Sequence, residues 1–261
     1  MAAVLYGYDR RDPYAVEPPV AGAAVTAAMA SERLDGLRVA VAAGTLFEGL
    51  EPALARNAGA VAEVLGRLGA TITKVELSDA VAATEDCTVL ILAEALAVHR
   101  ERLDADPGRF GDDVRRRLER GRSVSGVELA QAFDRMRRWR ACMLARLERV
   151  DVILTPTTPT TAPTIAGAEM ISTTARLTRF TYPWSLAWLP AVSVPSGFDD
   201  AGLPTGVQLA AAPWRDGLLL QVGQALQRVT DFHRRRPPLR TSEPASHNPI
   251  PSSATASSAS G

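Results

Sequence analysis

Apolar positions change their spacing several times along this chain, and each change marks a boundary between elements. LRVAVAAG (37–44) alternates and is rich in β-formers, which predicts a strand. From 52 to 68 the period becomes helical, placing Leu54, Ala58, Val61, Val64, Leu65 and Leu68 on one face, and Gly69 supplies the stop. ATITKVEL (70–77) reads as a second strand. Residues 37–77 therefore predict a β-α-β unit with parallel strands and a right-handed crossover.

A helical pattern follows over 80–103, carrying Val89, Leu92, Leu96 and Val98, and DADPG (104–108) breaks it. FGDDVRRRLERG predicts a helix ending at Gly121, and Ser125 or Gly126 starts a long amphipathic helix through Val150. DVIL (151–154) reads as a buried strand stopped by Pro156. The stretch 155–183 is read as a long loop, of the kind that is functional or mobile in a compact domain. AVSV (191–194) and TGVQLAA (205–211) are strands joined by the turn-rich SGFDDAGLP. Asp216 is expected to cap a last helix over 217–229. Together these elements predict an α/β sandwich around a mixed sheet.

The ends differ from the middle. Residues 1–36 hold YGYDRRDPYAVEPPV and read as an extended N-terminal arm, while 241–261 turn to Ser, Ala and Pro and predict a disordered tail. The folded domain is thus expected over 37–240. At 261 residues and 46% apolar content a large core is within reach, and the balanced formal charge of zero gives no field for nucleic acid or a membrane surface. The Arg115–Arg117 and Arg234–Arg236 runs read as a solvated helix face and a helix-end cluster. Cys87 and Cys142 stand apart in helical patterns, which indicates neither a zinc site nor a disulfide framework and fits a reducing cytoplasm. No apolar run reaches the length of a membrane span, and the first residues lack an export signal.

Amide or ester chemistry needs an activated nucleophile, a proton carrier and oxyanion donors. The chain has no G-x-S-x-G, S-x-x-K, H-E-x-x-H or G-x-x-x-x-G-K-[ST] sequence. His99 lies among Arg100, Glu101 and Arg102, His233 lies in a basic helix end, and His247 falls in the tail. Lys74 is the single lysine among 29 basic residues and alternates with Ile72 and Val75, as an exposed or edge strand residue does. Ser123, Ser125, Ser193 and Ser196 lie near turns or strand ends without a base partner in sequence. No metal ligand set and no cofactor motif is present, and a nucleotide-binding reading has only the early β-α-β unit behind it.

Several segments, in order, are similar to those of the amidase-signature family. LYGYDRRDP resembles its "aGxDxxDP" segment, followed by GLRVAV, LGATITKVEL, DVILTPTTPTTAP, PAVSVPSG, GLPTGVQL and TDFHRRRPP. The match runs over most of 1–238 and resembles the C-terminal portion of such an enzyme. The resemblance implies a partial amidase-signature α/β/α sandwich around a mixed β-sheet. In complete members it implies hydrolysis of carboxylic amides, or ammonia release from glutamine, through a Ser-Ser-Lys triad and an acyl-enzyme. The Gly/Ser-rich segment bearing that triad does not occur in this chain, and Lys74 does not match the family lysine, so no catalytic residue is assigned.

In the glutamine-using branch an arginine at the "RRxxxG" helix end holds the substrate carboxylate, and Arg117 falls at that point as the one substrate-binding candidate. The aspartate that holds the amine in that branch corresponds to Thr178, which favours a general amidase lineage. Ser185 stands where the family usually has Asn, and Trp188 where it has Gly, a replacement too large for a close-packed glycine site. The chain is accordingly expected to be inactive alone and to act on a small amide only when completed by an N-terminal half chain. The rival expectation is a non-catalytic interaction or remnant domain that covers its open sheet edge with a partner chain or another copy.

Overall fold

A computed structural model describes residues 7–19, 25, 27, 33–167 and 170–237. Its strands are β1 (Arg38–Ala43), β2 (Thr71–Glu76), β3 (Val152–Pro156), β4 (Ala191–Phe198) and β5 (Pro204–Ala211), ordered β2-β1-β3-β5-β4. The first three run parallel and β5 and β4 add antiparallel, so the sheet is mixed. The helices are α1 (Pro52–Arg67), α2 (Ala80–Ala105), α3 (Asp112–Arg120), α4 (Gly126–Leu147), α5 (Met170–Thr178), α6 (Tyr182–Leu186) and α7 (Asp216–Arg228).

Strand alternation divides the core into two layers. Val39, Val152, Leu154, Val207 and Leu209 point to one face and pack against Ala58, Val61 and Leu65 of α1 and Leu219, Val222 and Leu226 of α7. Ile153 and Ala210 point to the other face, against Cys87 and Leu90 of α2, Met143 and Leu147 of α4, and Trp184 of α6. The result is an α/β/α sandwich. Burial of the Val, Leu, Ile and Met side chains among these, each worth about 1.5–3 kcal/mol, holds the layers together.

Local sequence chemistry sets the element ends. Ser125 closes a capping box with Glu128: its Oγ accepts the Glu128 N–H at 3.1 Å and its own N–H donates to Glu128 Oε2 at 2.8 Å. Gly69, at φ +109, follows α1 in the left-handed region, where an added Cβ would also lie 2.2 Å from Asp35 Oδ1. Lys74 sits mid-strand on the exposed edge strand β2, where a charge blunts strand-to-strand association.

The structure departs from several sequence expectations. The expected loop 155–183 contains α5 and the start of α6, because MISTTARLT carries β-branched residues whose weak helical preference hides a nine-residue helix. Asp216 is the first residue of α7, not its cap: Arg215 takes that position and no side chain caps it. β4 continues four residues past Val194 with an irregularity between Pro195 and Gly197. Val25 and Ala27, within the expected extended arm, are helical. The expected tail at 241–261 lies outside the described residues.

Candidate functional site

α2 carries two apolar stripes rather than one. Ala83, Cys87 and Leu90 enter the core, while Ile91, Leu92 and Ala95 form the floor of a groove of about 690 Å³. α3 supplies one wall through Val114, Arg117 and Leu118, and α5 and α6 supply the other through Thr174, Ala175 and Tyr182. Leu118 is buried, yet Ile91 and Val114 remain 43% and 46% exposed, which is unusual for branched apolar side chains facing one concavity.

The approach of α3 to α2 fixes the groove's width. Gly121, just past α3, lies against α2 so closely that an added Cβ would stand 2.4 Å from the Leu92 carbonyl oxygen and 2.8 Å from Leu96 Cβ. Its φ of −60 is ordinary, so the requirement is for space rather than conformation. Asp112 and Asp113 occupy the first turn of α3 and Arg117 and Arg120 its last, matching the helix dipole at both ends. Arg117 is half-buried in the groove wall, with Arg120 and His99 beside it. His99 lies edge-on to Phe110 at 5.9 Å between centroids, and its Nδ1 is buried without a hydrogen-bond partner.

A second polar group sits across the sheet. Thr155, Gln208 and Ser193 occupy adjacent register positions on β3, β5 and β4. Gln208 Nε2 donates to the Phe180 carbonyl at 3.1 Å, Ser193 Oγ meets Thr157 Oγ1 at 2.7 Å, and the fully buried Thr155 Oγ1 has no partner. Arg179, which sequence reasoning did not single out, donates to the Glu48 carbonyl at 2.8 Å and stacks on Phe180 at 4.8 Å. Burial, aided by neighbouring Arg176, lowers its pKa from the usual arginine value. Its signal in sequence was a cation between apolar Leu177 and Phe180.

The serines are occupied structurally. Ser123 Oγ donates to the Arg120 carbonyl at 2.8 Å, Ser125 caps α4, and Ser196 Oγ bonds Thr205 Oγ1 at 2.9 Å in the interior. His233 lies in the short turn after α7, and His247 lies outside the described residues. Cys87 and Cys142 are both free thiols; burial, and secondarily Glu94, push the Cys87 thiol up to about 11. No cluster of His, Cys, Asp and Glu among the described residues could hold a metal ion, and no described helix is long and apolar enough to cross a membrane.

Thr178 turns its hydroxyl into its own helix, donating to the Thr174 carbonyl at 2.8 Å. Ser185 is exposed. Trp188 departs from the size expectation: its side chain is 71% exposed, so no close-packed space is violated. What a glycine would ease there is the backbone, which sits at φ +52 while Arg140 donates to the carbonyls of Ala187 and Trp188.

The chain is a mixed-sheet α/β/α sandwich with an apolar groove among its helices, and comparison makes its family specific. The Amidase family profile matches residues 1–220. This chain belongs to the amidase (amidase-signature) family. It is 33% identical over 261 residues to a glutamyl-tRNA(Gln) amidotransferase subunit of Chloroflexus aggregans, covering 90% of this chain and 52% of that protein. It is 29% identical to an amidase of Pseudomonas putida, covering 92% and 52%. Among solved structures, 6-aminohexanoate cyclic dimer hydrolase complexed with substrate superposes with TM-score 0.73 at 25% identity, covering 89% of this chain and 52% of that one. The corresponding glutamyl-tRNA(Gln) amidotransferase subunit from Thermotoga maritima gives 0.63 at 26%, covering 86% and 48%. The chain spans about half the length of the curated relatives it matches.

Proposed function

We propose that this chain forms the pocket-bearing half of an amide hydrolase of the general amidase lineage, working with a nucleophile-bearing half outside these 261 residues. The observation that carries the reading is the groove beside Arg117, set in a chain whose family profile spans 1–220. In the completed enzyme a serine of the other half attacks the amide carbon, the C–N bond breaks as the amine leaves with a proton, and water hydrolyses the resulting ester. This half contributes a preformed wall: Leu92, Ala95 and Leu118 exclude water from the substrate's hydrocarbon part, and Arg117 orients its polar end. Thr178 and its inward-turned hydroxyl disfavour an amine clamp, which supports a simple amidase over a glutamine-dependent amidotransferase. Two free cysteines fit a reducing cytoplasm.

The test is reconstitution. The chain alone and the chain co-expressed with the Gly/Ser-rich half of a relative are assayed with aliphatic and aryl amides. Turnover only in the pair supports the proposal; turnover by the chain alone at the level of an intact amidase overturns it. The open edges of β2 and β4 favour a second reading, a non-catalytic domain whose sheet edge pairs with another chain or copy. A stable complex with the Gly/Ser-rich half that never turns over amide selects that reading.

A further inference from the structure

The two edges of the sheet differ, and the difference belongs to this chain whichever reading above holds. Thr71 and Leu77 donate their N–H groups to the Leu37 and Ala43 carbonyls at 2.8 and 2.9 Å, so Ile72, Lys74 and Glu76 are the β2 residues whose backbone groups point outward. Two of those three carry charge, which blunts an edge against pairing. At the other edge the Ala211 N–H donates to the Pro190 carbonyl at 3.2 Å, so Val192 and Val194 are the next residues bonded to β5. Ala191 and Ser193 therefore turn their N–H and C=O groups away from β5, and both residues are exposed. Residues 188–198 hold no charged side chain, and among the described residues no strand lies beyond β4. Pro195, the next outward position, has no N–H and ends the free run.

We infer that Ala191–Ser193 pairs antiparallel with the same residues of a second copy of this chain, about a two-fold axis at Val192. The axis sets Ala191 opposite the partner's Ser193, so each donates its N–H to the other's carbonyl, and symmetry repeats the pair. Val192 packs with α1 and α7 on its own side and is only partly buried there. At the axis it meets the partner's Val192 at the close spacing of a non-hydrogen-bonded pair, which removes both side chains from water. A two-fold contact sets an edge against itself, so neutral, small side chains such as Ala191 and Ser193 suit it. Trp188, 71% exposed and three residues before Ala191, stands at the margin of the contact as an aromatic side chain that the single chain leaves in water.

The full chain is followed by sedimentation velocity from low micromolar to hundreds of micromolar concentration, and a shift toward twice the mass of one chain is expected. Ser193→Pro removes an outward N–H that bonds nothing in β5 and adds a ring at the pairing edge. It is expected to weaken association about tenfold or more, with an unchanged circular-dichroism spectrum. In a Cys142→Ser background, Val192→Cys faces its own mate at about 4.5 Å between Cα atoms, within the span of a disulfide. It is expected to cross-link under air with copper phenanthroline, whereas Thr73→Cys on exposed β2 is not.

A single-chain mass at every concentration overturns the inference. So does association that Ser193→Pro leaves intact, or cross-linking at Thr73→Cys as fast as at Val192→Cys. Should Ser193→Pro fail to fold, the comparison of the two cysteine variants decides. A chain that stays monomeric and pairs only with the Gly/Ser-rich half of a relative sinks the dimer and leaves the amide-hydrolase proposal standing. A dimer through Val192 with no turnover in the reconstituted pair does the reverse.

Discussion

Replacing Gly121 by alanine puts a single methyl group at the contact that sets the groove. The new Cβ would lie 2.4 Å from the Leu92 carbonyl oxygen, a backbone atom of a 26-residue helix that cannot rotate aside. Restoring an ordinary separation of about 3.4 Å or more requires α3 and α2 to part by roughly 1 Å, since neither partner is a flexible side-chain end. Overpacking of this kind costs about 1–3 kcal/mol, and the better helical propensity of alanine returns less than about 1 kcal/mol, so a net loss of about 1–2 kcal/mol is expected. For a domain of this size that is a fall in Tm of roughly 2–8 °C. The assay is urea and thermal unfolding of wild type and Gly121→Ala, with Gly126→Ala as the control because no atom lies within 4 Å of its added Cβ. Gly121→Ala within about 0.5 kcal/mol of wild type, or a loss matched by Gly126→Ala, would refute the steric reasoning.

Three further outcomes are expected. The Arg38 guanidinium and backbone N–H hold the Asp151 carboxyl below the usual carboxylate range, so this contact stabilises the fold above about pH 4 and is lost as pH falls through the depressed value. Urea midpoints for wild type and Asp151→Asn should accordingly differ near neutrality and draw together as acid protonates Asp151; a difference that widens on acidification contradicts the assignment. Trp139 Nε1 donates at 2.7 Å to the Pro183 carbonyl, which also accepts the Ala187 N–H at 3.2 Å, so Trp139→Phe should cost about 1–3 kcal/mol through one lost hydrogen bond and the space left by the smaller ring, read from the urea midpoint at unchanged m-value. Exposed Cys142 should react with a thiol reagent in the native state, whereas Cys87, buried and pushed up to about 11, should label only after denaturant is added; native-state labelling of both thiols at similar rates counts against the packing of α2.

Much of the scaffold is legible in the sequence, because it rests on local periodicity. The parallel β1-α1-β2 unit, the late antiparallel pair and the Ser125 start of α4 each follow from spacing or from one capping residue. Lys74 on an edge strand followed in the same way. α5 is not legible, since its β-branched residues carry weak helical preference and give no helical signal in the sequence. Trp188 was misjudged for a related cause: sequence shows a side chain's size but not whether the position is crowded or merely left-handed.

By itself, then, the sequence determined the family, the mixed-sheet sandwich and the lack of a recognisable Ser-Ser-Lys segment in these residues, because each depends on residue order along the chain. The tertiary structure decided where a groove forms. Val114 and Arg117 reach Ile91 and Ala95 only because the chain turns back at 104–111 and Gly121 lets two helices touch. A groove is made of residues distant in sequence, and its charge sign and width are set by packing distances that no local pattern encodes.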